Sequence, residues 1–188
     1  MIDAMARAKK FTREQVLEKA MLLFWSKGYA ETSIHDLETA TGVNKSGLYT
    51  EFAGKEDLYL ASLSHYLNEH GQTDWLLQEP LGWTNIEKFL QQAERHSRNV
   101  RGCFMVYAIR EIHVLTENAH KILLDYHTEL RNRVRKNVEA AKPKTDPELL
   151  TDMIMPLFSG ITLMRNFRKR AHTSQVSLDD FMNVLKHL

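Results

Sequence analysis

The stretch from Ser33 to Phe52, SIHDLETATGVNKSGLYTEF, limits what this chain can fold into more than any other. Ile34, Leu37, Ala40, Val43, Leu48 and Phe52 recur at helical spacing on both sides of Thr41-Gly42. The glycine interrupts the period, and small Ala40 stands where two helices would cross closely. Two short helices joined by a glycine-containing turn make a helix-turn-helix, whose second helix is built to enter the major groove of DNA.

The rest of the chain also reads as helix, because start and stop signals recur along it. Thr12 with Gln15 forms a capping box, which predicts a first helix from about residue 12 to Lys27, stopped at Gly28, with Val16, Ala20, Leu23 and Phe24 facing inward. Ser33 with Asp36 opens the second helix and Asn44 the third, which Ala53-Gly54 ends. A longer helix runs from Lys55 towards His70 and Gly71. Thr84 with Glu87 predicts a helix to about Arg98, followed by one from about Cys103 to Leu115 and a long one from Glu117 towards Ala141. Leu123, Tyr126, Leu130, Val134 and Val138 share one face of the long helix, and Pro143 cannot continue it. Asp146 followed by Pro147, and Ser177 with Asp180, open the last two. Residues 71–83 read as the longest irregular stretch, and no segment reads convincingly as strand.

At 188 residues and 43% hydrophobic content, the chain can bury one good core or a small domain fused to a larger one. A formal charge of +1 does not by itself announce nucleic acid. Arg7, Lys9, Lys10 and Arg13 nevertheless fall within seven acid-free residues, which predicts a basic arm ahead of the helix-turn-helix. The single cysteine excludes an internal disulfide framework and a zinc site built on paired cysteines. No apolar run approaches the roughly 18 to 20 residues that span a bilayer, and no signal-peptide core is evident, so a cytoplasmic protein without a membrane partner is expected.

Met21 to Tyr29, Thr32-Ser33, Gly42-Val43, Leu48-Tyr49, Phe52 and Lys55-Glu56-Asp57-Leu58 together resemble the DNA-binding domain of the TetR family of transcriptional regulators over residues 12–60. Beyond residue 70 the resemblance rests on helix number and on Gly102-Cys103-Phe104-Met105. It implies an all-α fold of about nine helices. A three-helix helix-turn-helix domain would occupy residues 1–54 and a ligand-binding and dimerisation domain residues 55–188, joined by the helix from residue 55 to about 70. It further implies a homodimer that binds a palindromic operator in double-stranded DNA and releases it when a small apolar or aromatic effector binds. Neither catalysis nor a cofactor is expected.

The chemistry of the reader follows from its residues. Early residues of the second helix meet base edges, which selects Asn44, Lys45, Ser46, Gly47 and Thr50. Lys45 can donate to guanine O6 or N7, Ser46 and Thr50 can donate or accept, and Gly47 lets the helix approach closely. Tyr49, Thr32, Ser33 and Lys55 place hydroxyls, amides and a cation where phosphates would pass. Ser33 and Asn44 are equally well explained as helix caps. Gly42 and Gly47 superficially match a phosphate-binding loop, but Leu48 and Tyr49 stand where Lys and Ser or Thr are required.

In the second part, Trp75, Phe89, Cys103, Met105, Tyr107, Tyr126 and Phe158 supply aromatic and flexible apolar surface suited to a pocket, with Arg110, His113 and His127 as polar groups to orient a ligand. Most such stripes are core packing. His113, His120 and His127 recur every seven residues, but a helix junction at Thr116 to Asn118 breaks their common face, and no metal site is expected. Cys103, at a predicted helix start after Arg98 and Arg101, has the setting that favours a thiolate. Similar regulators sense oxidants or electrophiles through such a cysteine, while the plainer reading is a small buried hydrophobe. Leu157, Phe158, Ile161, Met164 and Phe167, with Leu178, Phe181, Met182 and Leu185, predict a dimer made by the last two helices as a four-helix bundle. The alternatives are an electrophile sensor acting through Cys103 and an ungated DNA-binding protein.

Overall fold

The capping box at Thr12 starts the first element. Thr12 Oγ1 accepts the Gln15 N–H at 3.2 Å, and the Gln15 side chain accepts the Thr12 N–H at 3.0 Å. In the computed structural model, which describes residues 11–69, 73–95, 102–164 and 177–188, these bonds open α1 (Arg13–Lys27). There follow α2 (Ile34–Thr41), α3 (Lys45–Glu51), α4 (Lys55–Glu69), α5 (Trp83–Arg95), α6 (Phe104–Ile109), α7 (Glu117–Ala140), α8 (Pro147–Met164) and α9 (Leu178–His187). The described residues contain no strand, as the all-α expectation requires. The arm residues Arg7, Lys9 and Lys10, with Arg98, Arg101 and Phe167, lie outside the described residues.

α1 packs against α2 and α4, and α3 closes the amino-terminal unit over Leu37, Val43, Leu48 and Phe52, all buried. α7 packs along α8, and α5 lies against both and against α9. The two regions share one continuous core. Their junction is aromatic: Phe104 of α6 stacks on Trp25 of α1 at 5.9 Å and meets Tyr59 and Tyr66 of α4 edge-on at 6.0 and 5.7 Å. Aromatic pairs at these separations prefer such tilted geometry.

Three expectations change. α5 starts at Trp83, and Thr84 is exposed in its first turn rather than capping it; the Gly82 carbonyl accepts the first helical N–H, from Asn85, at 3.1 Å. The helix after Cys103 stops at Ile109 instead of reaching Leu115. Arg110 and Glu111 N–H turn back to Tyr107 and Ala108 carbonyls, and a 3-10 turn covers Ile112–Val114. The stretch 71–83, expected to be irregular, contains a 3-10 turn at Asp74–Leu77.

That stretch is organised from α7. Asn137, fully buried, donates to the carbonyls of Leu76 and Arg133 at 2.8 and 2.9 Å, and its Oδ1 accepts from Gly82 N and Asn85 Nδ2 at 3.0 and 2.9 Å. All bonding capacity of one amide is thereby used to seat the loop before α5.

The apolar surface of the last helices is also distributed differently from expectation. Phe158, Met182 and Leu185 are buried inside the chain, because Phe158 stacks on Phe89 of α5 at 4.6 Å and α9 lies against α5. Leu157, Ile161, Leu178 and Phe181 are partly buried. The exposed apolar side chains are Leu149 and Met153 on α8, and Val184 and Leu188 on α9 or at its end. No helix of the described residues is long and apolar enough to cross a membrane.

Candidate nucleic-acid interface

α2 opens on a capping box: Ser33 Oγ accepts the Asp36 N–H at 3.1 Å, and Asp36 Oδ2 accepts from Ser33 N and Oγ at 2.8 and 2.6 Å. Lys27 Nζ donates to the same Asp36 oxygen at 2.6 Å. The Lys27 ammonium, followed by the Ser33 hydroxyl and amide, holds the Asp36 carboxyl well below the usual carboxylate range. α2 ends at Gly42, whose φ of 75° is the left-handed conformation that closes a helix at low cost. Lys19 of α1 reaches the Thr41 carbonyl at 3.2 Å, and Thr41 Oγ1 accepts the Val43 N–H, so the turn is tied on both sides.

α3 then projects from the surface. Asn44 Oδ1 accepts the Gly47 N–H at 2.9 Å, and Glu38 of α2 accepts the Lys45 N–H. Leu48 is buried, whereas Asn44, Lys45, Ser46, Tyr49 and Thr50 are exposed, Tyr49 at 44%. The Lys45 ammonium sits 5.6 Å above the Tyr49 ring, and Thr50 Oγ1 donates back to the Ser46 carbonyl at 2.9 Å. An exposed face with a cation, three hydroxyl groups and an amide can hydrogen-bond base edges and phosphates.

Several expected contacts have other employment. Thr32 is not on the surface: it is 1% exposed and its hydroxyl donates to the Gly28 carbonyl at 2.6 Å, so it fastens the turn between α1 and α2. Gly47 is half-buried, and a Cβ there would lie 2.8 Å from Val43 Cγ1 and 3.1 Å from Asn44 Oδ1. Packing beneath the cap already requires glycine. Lys55 reaches the Ala30 carbonyl at 3.4 Å and covers the Tyr29 ring at 4.4 Å, and burial lowers its pKa. Arg13 covers the Phe52 ring at 4.9 Å.

The effector candidates do not converge on one cavity. Phe89 and Phe158 stack between α5 and α8, and Met105 is fully buried. Cys103, 8% exposed, caps α6; Tyr66 donates its hydroxyl to the sulfur at 3.4 Å and the Tyr126 hydroxyl lies 3.9 Å away. Burial, then the neighbouring Cys103, pushes both tyrosine pKa values up, so both hydroxyls stay protonated. Tyr126 also lines a cavity of about 360 Å³ between α4 and α7, with Leu67, Leu130, Asp74, Asp125, Glu129 and Arg133. This lining is more charged than an apolar effector would call for. Trp75 lies in the adjoining 3-10 turn. Tyr107 and Arg110 belong to a different cavity facing α1, and His113, His120 and His127 are exposed.

Sequence reasoning missed Glu111. Its two carboxylate oxygens accept the Tyr29 and Ala30 N–H groups at 2.7 and 3.1 Å, bridging 82 and 81 residues. Gly28, with φ 91°, makes room: a Cβ there would stand 2.7 Å from either oxygen. No local pattern around Glu111 signals a partner so distant in the chain.

Residues 16–62 match the family model described as bacterial regulatory proteins, tetR family. The chain is 48% identical over 62 residues to the HTH-type transcriptional repressor ComR of Escherichia coli K12, a match covering 33% of this chain and 30% of that protein. It is 25% identical over 159 residues to the repressor BdcR of the same organism, covering 83% and 80%. The chain thus spans under a third of the first relative and four fifths of the second. Among solved structures, a CifR cysteine mutant complexed with 26-base-pair operator DNA superposes with a TM-score of 0.71 at 25% identity, covering 96% of both chains. The reduced form of E. coli NemR shares the fold, with a TM-score of 0.72 at 21% identity over 93% of each chain.

Proposed function

We propose that this chain, whose residues 16–62 match the tetR family model, is a DNA-binding transcriptional regulator of that family, a homodimeric repressor released from its operator by a small molecule. The observation that carries the DNA part is the exposed face of α3, on which Lys45, Ser46, Tyr49 and Thr50 stand over a fully packed base. Lys45 reads a guanine edge, Ser46 and Thr50 adjust to neighbouring bases, and Tyr49, Ser33 and Lys55 meet phosphates. Two such helices reach successive major-groove faces when they lie about 34 to 36 Å apart, one turn of DNA. A dimer supplies the pair. Leu149 and Met153 on α8, and Val184 and Leu188 on α9 or at its end, are exposed apolar side chains that pairing of two copies would cover.

The effector enters the cavity beside Tyr126, with an apolar part against Leu67 and Leu130 and a polar end among Asp74, Asp125, Glu129 and Arg133. α4 lines this cavity and belongs to the same core as α1, so an occupant that prefers one tilt of α4 changes the separation of the two α3 helices. The loss of affinity equals the effector's preference for the non-binding arrangement. Selection of genomic fragments by the purified protein, with and without a small-molecule extract of the cell, tests both halves. Enrichment of a palindrome that the extract abolishes is expected; enrichment of no common sequence refutes the reading, and a palindrome insensitive to every fraction leaves an ungated regulator.

The two tyrosine hydroxyls at Cys103 favour a second reading, in which modification of the thiol triggers release. Alkylation of the native protein by iodoacetamide, with release of the selected DNA, is the expected result; a thiol that reacts only after unfolding makes Cys103 a core residue.

A further inference from the structure

α3 has seven residues, too few to hold a helix by themselves, so its direction depends on what takes its leading N–H groups. Asn44 takes that of Gly47. The N–H of Lys45, at the first helical position, goes instead to α2, where Glu38 Oε1 accepts it. The Glu38 carbonyl also accepts the Gly42 N–H at 2.9 Å, the bond that closes α2. Through its backbone this residue ends α2, and through its side chain it begins α3.

The charge of that side chain stays open to its surroundings. The Glu38 side chain is 31% exposed, and among the described residues its one ion-pair partner is His35, whose Nδ1 stands 3.9 Å from Oε2, beyond hydrogen-bond reach. That imidazole, 88% exposed, is charged only when protonated. The Lys45 ammonium lies over the Tyr49 ring rather than against the carboxylate. The hydrogen bond to Lys45 needs only an oxygen, which glutamine would also supply, so the charge has an effect of its own. A carboxylate beside the leading end of α3 repels any phosphate that approaches it. The same group accepts well from the amino groups that cytosine and adenine show in the major groove. We infer that Glu38 positions α3 through one oxygen and sets specificity through its charge, penalising every register of DNA that brings a phosphate against it and tolerating the one that presents an amino group. The inference rests on α3 being the helix that reads DNA.

Glu38→Gln and Glu38→Ala in the full-length protein separate the two effects. Binding is measured by anisotropy on the palindrome enriched from genomic fragments and on a random duplex of equal length, at several salt concentrations. Glu38→Gln keeps an acceptor for the Lys45 N–H and loses only the charge. It should bind the random duplex about threefold more tightly than the parent, lowering the ratio of operator to random affinity, and that gain should fade as salt rises. Glu38→Ala loses the acceptor as well, and its operator affinity should fall about fivefold, as loss of one hydrogen bond does, with Glu38→Gln restoring it. If Glu38→Ala does not fold, the ratio for Glu38→Gln decides. The inference is overturned if Glu38→Gln keeps the parent's ratio at every salt concentration, or if a folded Glu38→Ala binds the operator as the parent does. A parent that binds both duplexes equally overturns the reading of α3 as the DNA reader, and this inference with it.

Discussion

At the scale of single residues, the reader separates side chains that support from side chains that can touch DNA. The Lys45 ammonium lies over the exposed Tyr49 ring, whereas Lys55 is engaged with Tyr29 and Ala30. Lys45→Ala should therefore relax base preference at one operator position, while Lys55→Ala should weaken all sequences alike and flatten the salt dependence by about one unit of slope. Binding measured on a set of single-base operator variants at several salt concentrations distinguishes them. Gly47→Ala tests whether that glycine serves packing or approach to DNA. The crowded Val43 methyl and Asn44 carboxamide predict a loss of about 1 kcal/mol in urea unfolding, with base preference unchanged. Asp36 adds a pH dependence. Its folded pKa lies below that of the unfolded chain, so its stabilisation is complete above about pH 4 and is lost as the pH falls further. The gap in urea midpoint between the parent and Asp36→Asn should stay constant from pH 8 to about 5 and close on acidification.

At the scale of elements, α1 to α4 were legible because each carries its own boundary chemistry. Thr12, Ser33 and Asn44 all accept the N–H groups their spacing predicts, and Gly42 takes the left-handed turn. α5 and α6 were misjudged for one reason. Their ends are set by partners far along the chain, Asn137 for the loop entering α5 and Tyr29 with Ala30 for the turn that follows α6. Thr32 looked like a surface hydroxyl because a capping neighbour, Ser33, follows it, but its bond to Gly28 is visible only in three dimensions. Several residues expected on a pairing surface are instead core: periodicity cannot say which of two apolar stripes an adjacent helix takes, and α5 took the one with Phe158. Met153→Arg or Val184→Arg should shift the protein from dimer to monomer in sedimentation and cut operator affinity by more than tenfold, since each reader then binds alone. Phe158→Ala should instead lower stability by about 3 to 5 kcal/mol in denaturant titration.

At the scale of the whole molecule, Glu111 is a polar tie between the amino-terminal helices and the later ones, beside the aromatic junction at Phe104. Glu111→Ala frees two backbone N–H groups and loosens the tie. Operator affinity should fall about three- to tenfold, the equivalent of one or two hydrogen bonds, and effector should then change it less than in the parent. Fluorescence anisotropy of labelled operator, with and without effector, reads both effects. α6 has a further property that follows from its length. Six residues are too few to hold a helix by themselves, since nucleation costs more than so short a run of bonds returns. The segment stays folded because Cys103 and Phe104 are embedded at one end and Glu111 is fixed at the other. Melting of either region therefore removes what keeps α6 wound, and with it the packing the other region leans on. The chain should unfold on heating as a single calorimetric event, and Glu111→Ala should split that event in two.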